Sequence, residues 1–177
     1  MKFPRYLLML SSLLFLFSKA SAESLKVGDS APAVTGVTET GEKLNFAEVY
    51  KKGYTLVYFY PKADTGGCTA QGCSLRDSYA DLTKHGVSVI GVSLDNSGDQ
   101  KKFHDKYQFP FTLIADPQKT VVNAFGVPTM TVPGMGELAK RQAYLIDKNG
   151  KVVWCDYKAS TKEQAADVLK ELTALGG

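Results

Sequence analysis

Residues 54–60 (YTLVYFY) and 87–94 (VSVIGVSL) are nearly unbroken apolar runs, rich in β-branched and aromatic side chains. Runs this short, without strict alternation, predict strands buried on both faces. Pro61 closes the first, because it lacks the N–H that a ladder requires. Shorter runs at 111–115, 142–147 and 151–156 predict three more strands; the last two flank Lys148-Asn149-Gly150, whose Asn-Gly pair is a strong hairpin signal. Residues 34–37 and 43–46, on either side of Glu39-Thr40-Gly41, predict a small N-terminal β-hairpin. Helical spacing returns in between. Residues 68–84 carry Leu75, Tyr79 and Leu82 on one side. Ser97-Gly98-Asp99-Gln100 reads as a capping box for a helix reaching about Tyr107, and Ser160-Thr161-Lys162-Glu163 as a cap for a last helix ending near Leu172. Short helices are expected over 47–52 and 118–125. Residues 126–140 contain three Gly and two Pro with no clear period, which predicts a long loop.

Strands that alternate with helices, followed by a hairpin and a helix, give an α/β order. The crossovers demand parallel pairs and the Asn-Gly turn an antiparallel one. A mixed central β-sheet flanked by helices, as in the thioredoxin-like fold, satisfies both.

Composition separates the first 22 residues from the rest. Lys2 and Arg5 precede an almost wholly apolar stretch at 7–17 (LLMLSSLLFLF), and Ser18-Lys19-Ala20-Ser21-Ala22 supplies an A-x-A pattern before Glu23. A basic start, a short apolar run and a small-residue cleavage site predict a secretory signal peptide over 1–22, with one domain over 23–177 and export to the periplasm or medium. The apolar run is too short to span a bilayer, which takes about 20 residues, and no Cys follows the cleavage site to suggest a lipid anchor. Removing this segment removes Lys2, Arg5 and Lys19 and takes the formal charge from +3 to zero. The remaining basic residues are scattered, so neither nucleic acid nor an anionic membrane surface is an expected partner.

The chain has three cysteines, Cys68, Cys73 and Cys155. Two of them lie close together in a domain large enough to fold without staples, which favours chemistry over structural bridging. Cys68 follows a buried strand, a Pro and a Gly-Gly pair, and opens a predicted helix. That places it at the carboxyl edge of the sheet, where α/β proteins tend to put their sites, beside unpaired N–H groups and the positive end of the helix dipole. Both favour thiolate, the attacking species, over thiol. The alternative is a small buried apolar residue, as most free cysteines are. Thr65, three residues before, could turn its hydroxyl toward the sulfur or serve simply as a turn residue. Arg141, one of two arginines outside the signal segment, stands at the mouth of the strand at 142–147; it could stabilise charge at the sulfur or be an ordinary surface residue.

Cys73 sits five residues beyond Cys68. Five helical steps amount to about 7.5 Å along the axis and about 140° around it. A disulfide needs Cα atoms within about 7 Å and converging Cβ vectors. If the pair is functional, the helix carrying it must partly unwind, and Gly66, Gly67 and above all Gly72 lower the cost of doing so.

The segment Phe59-Tyr60-Pro61-Lys62-Ala63-Asp64-Thr65-Gly66-Gly67-Cys68-Thr69-Ala70-Gln71-Gly72-Cys73 resembles the active-site segment of peroxiredoxins, and within them the peroxiredoxin Q group, also called bacterioferritin comigratory protein. The Pro-x-x-x-Thr-x-x-Cys core matches at Pro61, Thr65 and Cys68, and the group's resolving cysteine at Cys73. Residues 87–94 with Asp95, Phe109-Pro110-Phe111, and Arg141 ahead of Ala143-Tyr144-Leu145-Ile146-Asp147 match as well, so the similarity spans about residues 25–172. It implies a thioredoxin-like fold and a thiol peroxidase acting on hydrogen peroxide and organic hydroperoxides. Cys68 would be peroxidatic and Cys73 resolving, joined in a disulfide; Thr65 and Arg141 would hold the peroxide, and Pro61 would shield the sulfur. A thioredoxin-like dithiol protein would reduce the disulfide, with no metal or organic cofactor and a monomer as the expected state. The family commonly has Pro where this chain has Gly66, which leaves the loop freer, and a signal peptide is unusual in a group often found in the cytosol.

Other residues receive plainer readings. Cys155, within an apolar strand, is expected to pack, with a mixed-disulfide role as the alternative. His85 and His104 stand alone, away from ligand spacing. Met130 and Met135 are expected in a loop cover, with the border of an apolar substrate entrance as the alternative. The competing functions are a thioredoxin-like disulfide oxidoreductase, whose Cys-x-x-Cys spacing is absent here, and a redox-sensing binding protein.

Overall fold

The computed structural model describes residues 23–176; the predicted signal segment lies outside them. Strand β3 (Tyr54–Phe59) is the axis of the molecule. It pairs in parallel with β4 (Val87–Ser93), Val57 opposite Ile90, and antiparallel with β8 (Gln142–Ile146), Val57 opposite Tyr144. Outward from β4 come β5 (Thr112–Ala115), parallel, then the hairpin of β1 (Thr35–Thr38) and β2 (Lys43–Asn45); outward from β8 comes β9 (Val152–Asp156). The seven strands run β2-β1-β5-β4-β3-β8-β9. This is the mixed sheet that the crossover and hairpin signals required, with the predicted N-terminal hairpin on one edge.

Both sheet faces are filled, and the strand pleat sorts the apolar runs between them. Leu56, Tyr58 and Tyr60 point to one core with Leu145, and Val57 and Phe59 to the other with Tyr144 and Ile146. The first core is closed by α2 (Gly66–Asp77), α3 (Tyr79–Lys84), α4 (Ser97–Tyr107) and α6 (Gln164–Ala174), through Leu75, Leu82, Phe103 and Val168. The second is closed by α1 (Phe46–Tyr50) and α5 (Thr120–Ala124), through Phe46, Val49, Val121 and Val122. Each fully buried side chain of this size contributes about 1.5–3 kcal/mol, so the continuous apolar runs are the dominant instruction for the fold.

Several boundaries differ from the sequence reading. The expected helix over 68–84 is two helices that break at Ser78, whose backbone (φ −102°, ψ 9°) leaves the helical region. The first begins at Gly66, so Cys68 is its third residue. The capping box of α4 lies one position earlier: Asn96 Oδ1 accepts from the Asp99 N–H, and Asn96 Nδ2 donates to Asp99 Oδ2. Ser160 accepts from the N–H groups of Lys162 and Glu163 and so shapes the turn ahead of α6 instead of capping it. The helix expected from 118 starts at Thr120, because the Asp116 carboxylate accepts from the N–H groups of Thr120, Val121 and Val122. The segment expected as a loop holds a two-stranded ribbon, β6 (Thr129–Val132) and β7 (Gly136–Ala139). Glu137 ties it down through Lys119 and Thr129. Most of its residues are partly or fully exposed, so no alternation of apolar residues marked it.

Gly72 has a packing role beyond its effect on helix stability. A Cβ there would lie 2.6 Å from Phe109 Cζ, and Phe109 cannot retreat because it is buried and stacks on Phe111 and Tyr107. Gly72→Ala should therefore destabilise by about 1 kcal/mol, overpacking of about 1–3 kcal/mol outweighing a helix-propensity gain of about 1 kcal/mol. Urea unfolding measures this, and adding Phe109→Leu should recover most of the loss.

Candidate active site

The loop between β3 and α2 is held from two sides. From below, Asp95 at the end of β4 accepts from the Ala63 N–H at 2.8 Å and the Ser93 hydroxyl at 2.6 Å, and pairs with Lys62 Nζ at 3.3 Å. Ser93 in turn accepts from Gln100 Nε2, a fully buried amide that also donates to the Ile114 carbonyl and accepts from the Tyr60 hydroxyl. Buried polar groups of this kind are kept only when paired, and pairing makes them rigid. From outside, Asp64 pairs with Lys106 Nζ at 2.7 Å and accepts from the Tyr107 hydroxyl at 2.8 Å. Asp64 is in the left-handed region (φ 58°), which short polar residues tolerate, and this turn delivers Thr65 to the N-cap position of α2.

The Thr65 hydroxyl donates to the Lys62 carbonyl at 3.0 Å, closing the loop on itself, which is the turn role the sequence left open beside one facing the sulfur. Pro61, half-buried, borders a cleft of ≈ 230 Å³ with Lys62, Asp95, Met135 and Leu138. The ribbon thus brings Met135 beside the loop, while Met130 is exposed on β6.

Cys68, 2% exposed, lies in the first turn of α2 within the first core. Antiparallel pairing of Phe59 with Gln142 sets Arg141 opposite the end of β3, and its Nη2 lies 3.4 Å from Cys68 Sγ. Arg141 is therefore no ordinary surface residue. Its Nη1 donates to Gln71 Oε1, and Gln71 Nε2 donates to Gln164 Oε1 at the start of α6. Gln71 and Gln164 are both fully buried or nearly so. Tyr58 turns its hydroxyl into the same core. Burial pushes its pKa well above the usual value, and the nearby Cys68 adds to the effect.

Cys73 is half-buried against the same core, in a helix unbroken from Gly66 to Asp77, and both thiols are free. Arg76, whose Nη1 donates to the Tyr107 carbonyl, lies near it; Asp77 first, and Cys73 among the lesser causes, raise the Arg76 pKa. Cys155 pairs with Tyr144 across β8 and β9 and packs in the second core, on the opposite sheet face from Cys68, in keeping with a packing role. His85 and His104 lie at the surface or near it, with Nδ1 toward the Asp81 carbonyl and the Asp105 carboxylate.

Gln71, Gln164, Gln100 and Tyr58 escaped the sequence reading. The first carried a usable signal: three residues after Cys68, it shares that face of the helix. Gln164 stands on the apolar stripe of Ala165, Val168 and Leu172.

A thiol in the first turn of a helix, presented at the carboxyl end of a central strand and faced by an arginine from the neighbouring strand, defines a thiol-based site on a thioredoxin-like peroxiredoxin fold. Residues 27–155 match the AhpC/TSA family, and the chain belongs to that family. It is 39% identical to a putative peroxiredoxin bcp of Coxiella burnetii over 136 residues, covering 74% of this chain and 89% of that one. It is 37% identical to the chloroplastic peroxiredoxin Q of Oryza sativa subsp. japonica over 149 residues, covering 84% of this chain and 67% of that one. The crystal structure of peroxidoxin BcpB from Mycobacterium tuberculosis superposes with a TM-score of 0.79 at 30% identity, over 85% of this chain and 98% of that one.

Two outcomes follow from the loop. A Cβ at Gly66 meets nothing within 4 Å, and Thr65 before it is extended (φ −92°, ψ 151°), the conformation that a following proline imposes. Gly66→Pro should stabilise the protein by about 0.4–1 kcal/mol in chemical unfolding. Hydrogen bonds from Lys106, then from Tyr107, hold the Asp64 pKa below its ordinary 3.8. The clamp is complete above 3.8 and is lost as pH falls through the lowered pKa. In Lys106→Met, the Asp64 midpoint followed by carboxyl-carbon NMR should move up toward 3.8.

Proposed function

We propose that this chain is a thiol peroxidase that reduces hydrogen peroxide and organic hydroperoxides, with Cys68 as the attacking thiolate and Cys73 as its resolving partner. The observation that carries this is the Arg141 guanidinium 3.4 Å from Cys68 Sγ at the start of a helix, with a second thiol on the same helix. A fixed positive charge and the helix N–H groups can both stabilise the negative charge that develops on the peroxide oxygen as its bond breaks. The names of the relatives, peroxiredoxin bcp and peroxiredoxin Q, support the same reading.

In the first step the thiolate attacks the terminal peroxide oxygen. The O–O bond breaks, water or an alcohol leaves with a proton, and Cys68 becomes a sulfenic acid. Arg141, and Thr65 through its free lone pairs, hold the peroxide oxygens, while Pro61 limits water at the sulfur. In the second step Cys73 displaces the sulfenic oxygen, giving a disulfide within one chain and water. Because the helix is continuous between the two thiols, its first turns must open for this bond to form. A thioredoxin-like dithiol then restores both thiols by exchange. A resolving cysteine in the same chain removes the need for a dimer, which supports a monomer.

We place the protein outside the cytosol, on the basic, apolar and small-residue pattern of residues 1–22. Cleavage before Glu23 would keep the contacts that tie the mature start to the fold, Ser24 Oγ to the Gly126 carbonyl and Leu25 N–H to the Phe125 carbonyl.

Rapid mixing of reduced protein with hydrogen peroxide and with an alkyl hydroperoxide tests the roles. Cys68→Ser should abolish peroxide consumption. Cys73→Ser should consume about one equivalent and stop at the sulfenic acid. Equal loss at the first turnover in both variants would overturn the assignment. Arg141→Lys keeps the charge but loses the planar fork, and should slow the first step by about tenfold or more.

A further inference from the structure

The polar chain Arg141–Gln71–Gln164 ends on α6, a helix that the chemistry above does not use. The guanidinium fixes its direction. Arginine only donates, so Gln71 must turn its oxygen to Arg141 and its nitrogen to Gln164, and Gln164 must answer with its oxygen. The other end of that amide, Gln164 Nε2, is buried without a hydrogen-bond partner among the described residues. A buried amide with an unpartnered end is costly, so packing alone would favour an apolar residue here. What an apolar residue could not supply is the acceptor that Gln71 uses.

Gln71 lies between Cys68 and Cys73 on α2. Opening the first turns far enough to bring the two sulfurs together takes Gln71 away from both Arg141 and Gln164. We propose that Gln164 is a positioning residue that acts through Gln71 in both steps. It holds Arg141 against Cys68 Sγ while α2 is closed, and it sets how readily α2 opens for Cys73. This inference rests on the peroxidase reading. In the step it governs, the Cys73 sulfur attacks the Cys68 sulfenic acid; an S–S bond forms, the S–O bond breaks, and the oxygen leaves as water with the thiol proton. The competing step is attack of the sulfenic acid on a second hydroperoxide, which gives a sulfinic acid and water or alcohol. Gln164 thus divides the sulfenic acid between disulfide and sulfinic acid.

Gln164→Met tests this, because it keeps the length of the side chain and removes the acceptor. Val168→Ala is the control, a fully buried position four residues further along the same helix and outside the polar chain. In the reduced protein, Gln164→Met should raise hydrogen exchange at the amides of residues 69–74 by about tenfold, the effect of leaving one buried donor unpaired. On mixing with hydrogen peroxide it should speed disulfide formation by a similar factor, slow the first bimolecular step several-fold, and lower the yield of sulfinic acid at excess peroxide. Val168→Ala should lose thermal stability while leaving the ratio of the two rates unchanged. If Gln164→Met lowers stability but matches Val168→Ala in exchange at 69–74 and in that ratio, the role is merely structural and the inference is overturned. Wild type that leaves hydroperoxide unreduced would sink the peroxidase reading on its own; exchange at 69–74 would still decide whether Gln164 holds α2 closed.

Discussion

A strand buried on both faces at the centre of a sheet can move neither up nor down, and β3 is such a strand. Its neighbours on either side fix its height, and the two cores fix its tilt. Everything at the site inherits that rigidity. Pro61 ends the ladder, four residues turn the chain through Asp64, and α2 begins with Cys68 in its first turn. The same pairing register delivers Arg141 from the strand alongside. No long-range adjustment is needed to bring thiol and guanidinium together, because both emerge at the same edge of adjacent antiparallel strands.

The loop between strand and helix is short but well held. Asp95 and its buried partners Ser93, Gln100 and Tyr60 fasten it to the sheet, and Lys106 with Tyr107 fastens it to α4. The helix that follows is held differently. Its N-terminal half meets the rest of the protein through Cys68 in the first core, the polar contacts of Gln71 and the close approach of Gly72 to Phe109, while Leu75 anchors the other half in the core. On the peroxidase reading, the site would be ordered for attack and rearranged for resolution, and the Gln71 contacts suit that, since hydrogen bonds can be exchanged with water one at a time whereas apolar packing is collective.

The sheet and the place of Cys68 at the turn from β3 into α2 were legible in the sequence because their signals are local. Continuous apolar runs mark strands buried on both faces, Asn-Gly marks a hairpin, and a Pro and a Gly pair bracket the turn before Cys68. The β6–β7 ribbon was not legible, since a ribbon mostly outside the core carries no alternation to read. The break at Ser78 was hidden because Leu75, Tyr79 and Leu82 keep helical spacing across it. Arg141 was ambiguous for another reason: its importance comes from the register of β8 against β3, a property of two distant segments. Gln164 is the extreme case, joined to Gln71 across 93 residues of chain with no local mark beyond a polar residue on an apolar stripe.

The placement of Cys155 gives the sheet a second meaning. Cβ atoms joined by a disulfide lie about 4 Å apart, whereas layers packed on a sheet are separated by about 10 Å. The third thiol is therefore walled off from the other two for as long as the chain stays folded. An odd number of cysteines ordinarily invites scrambling, but here the partition leaves one isolated couple and one bystander. On the peroxidase reading the two thiols of α2 would store two electrons, released or taken up together, while Cys155 on the other sheet face has no second cysteine beside it among the described residues.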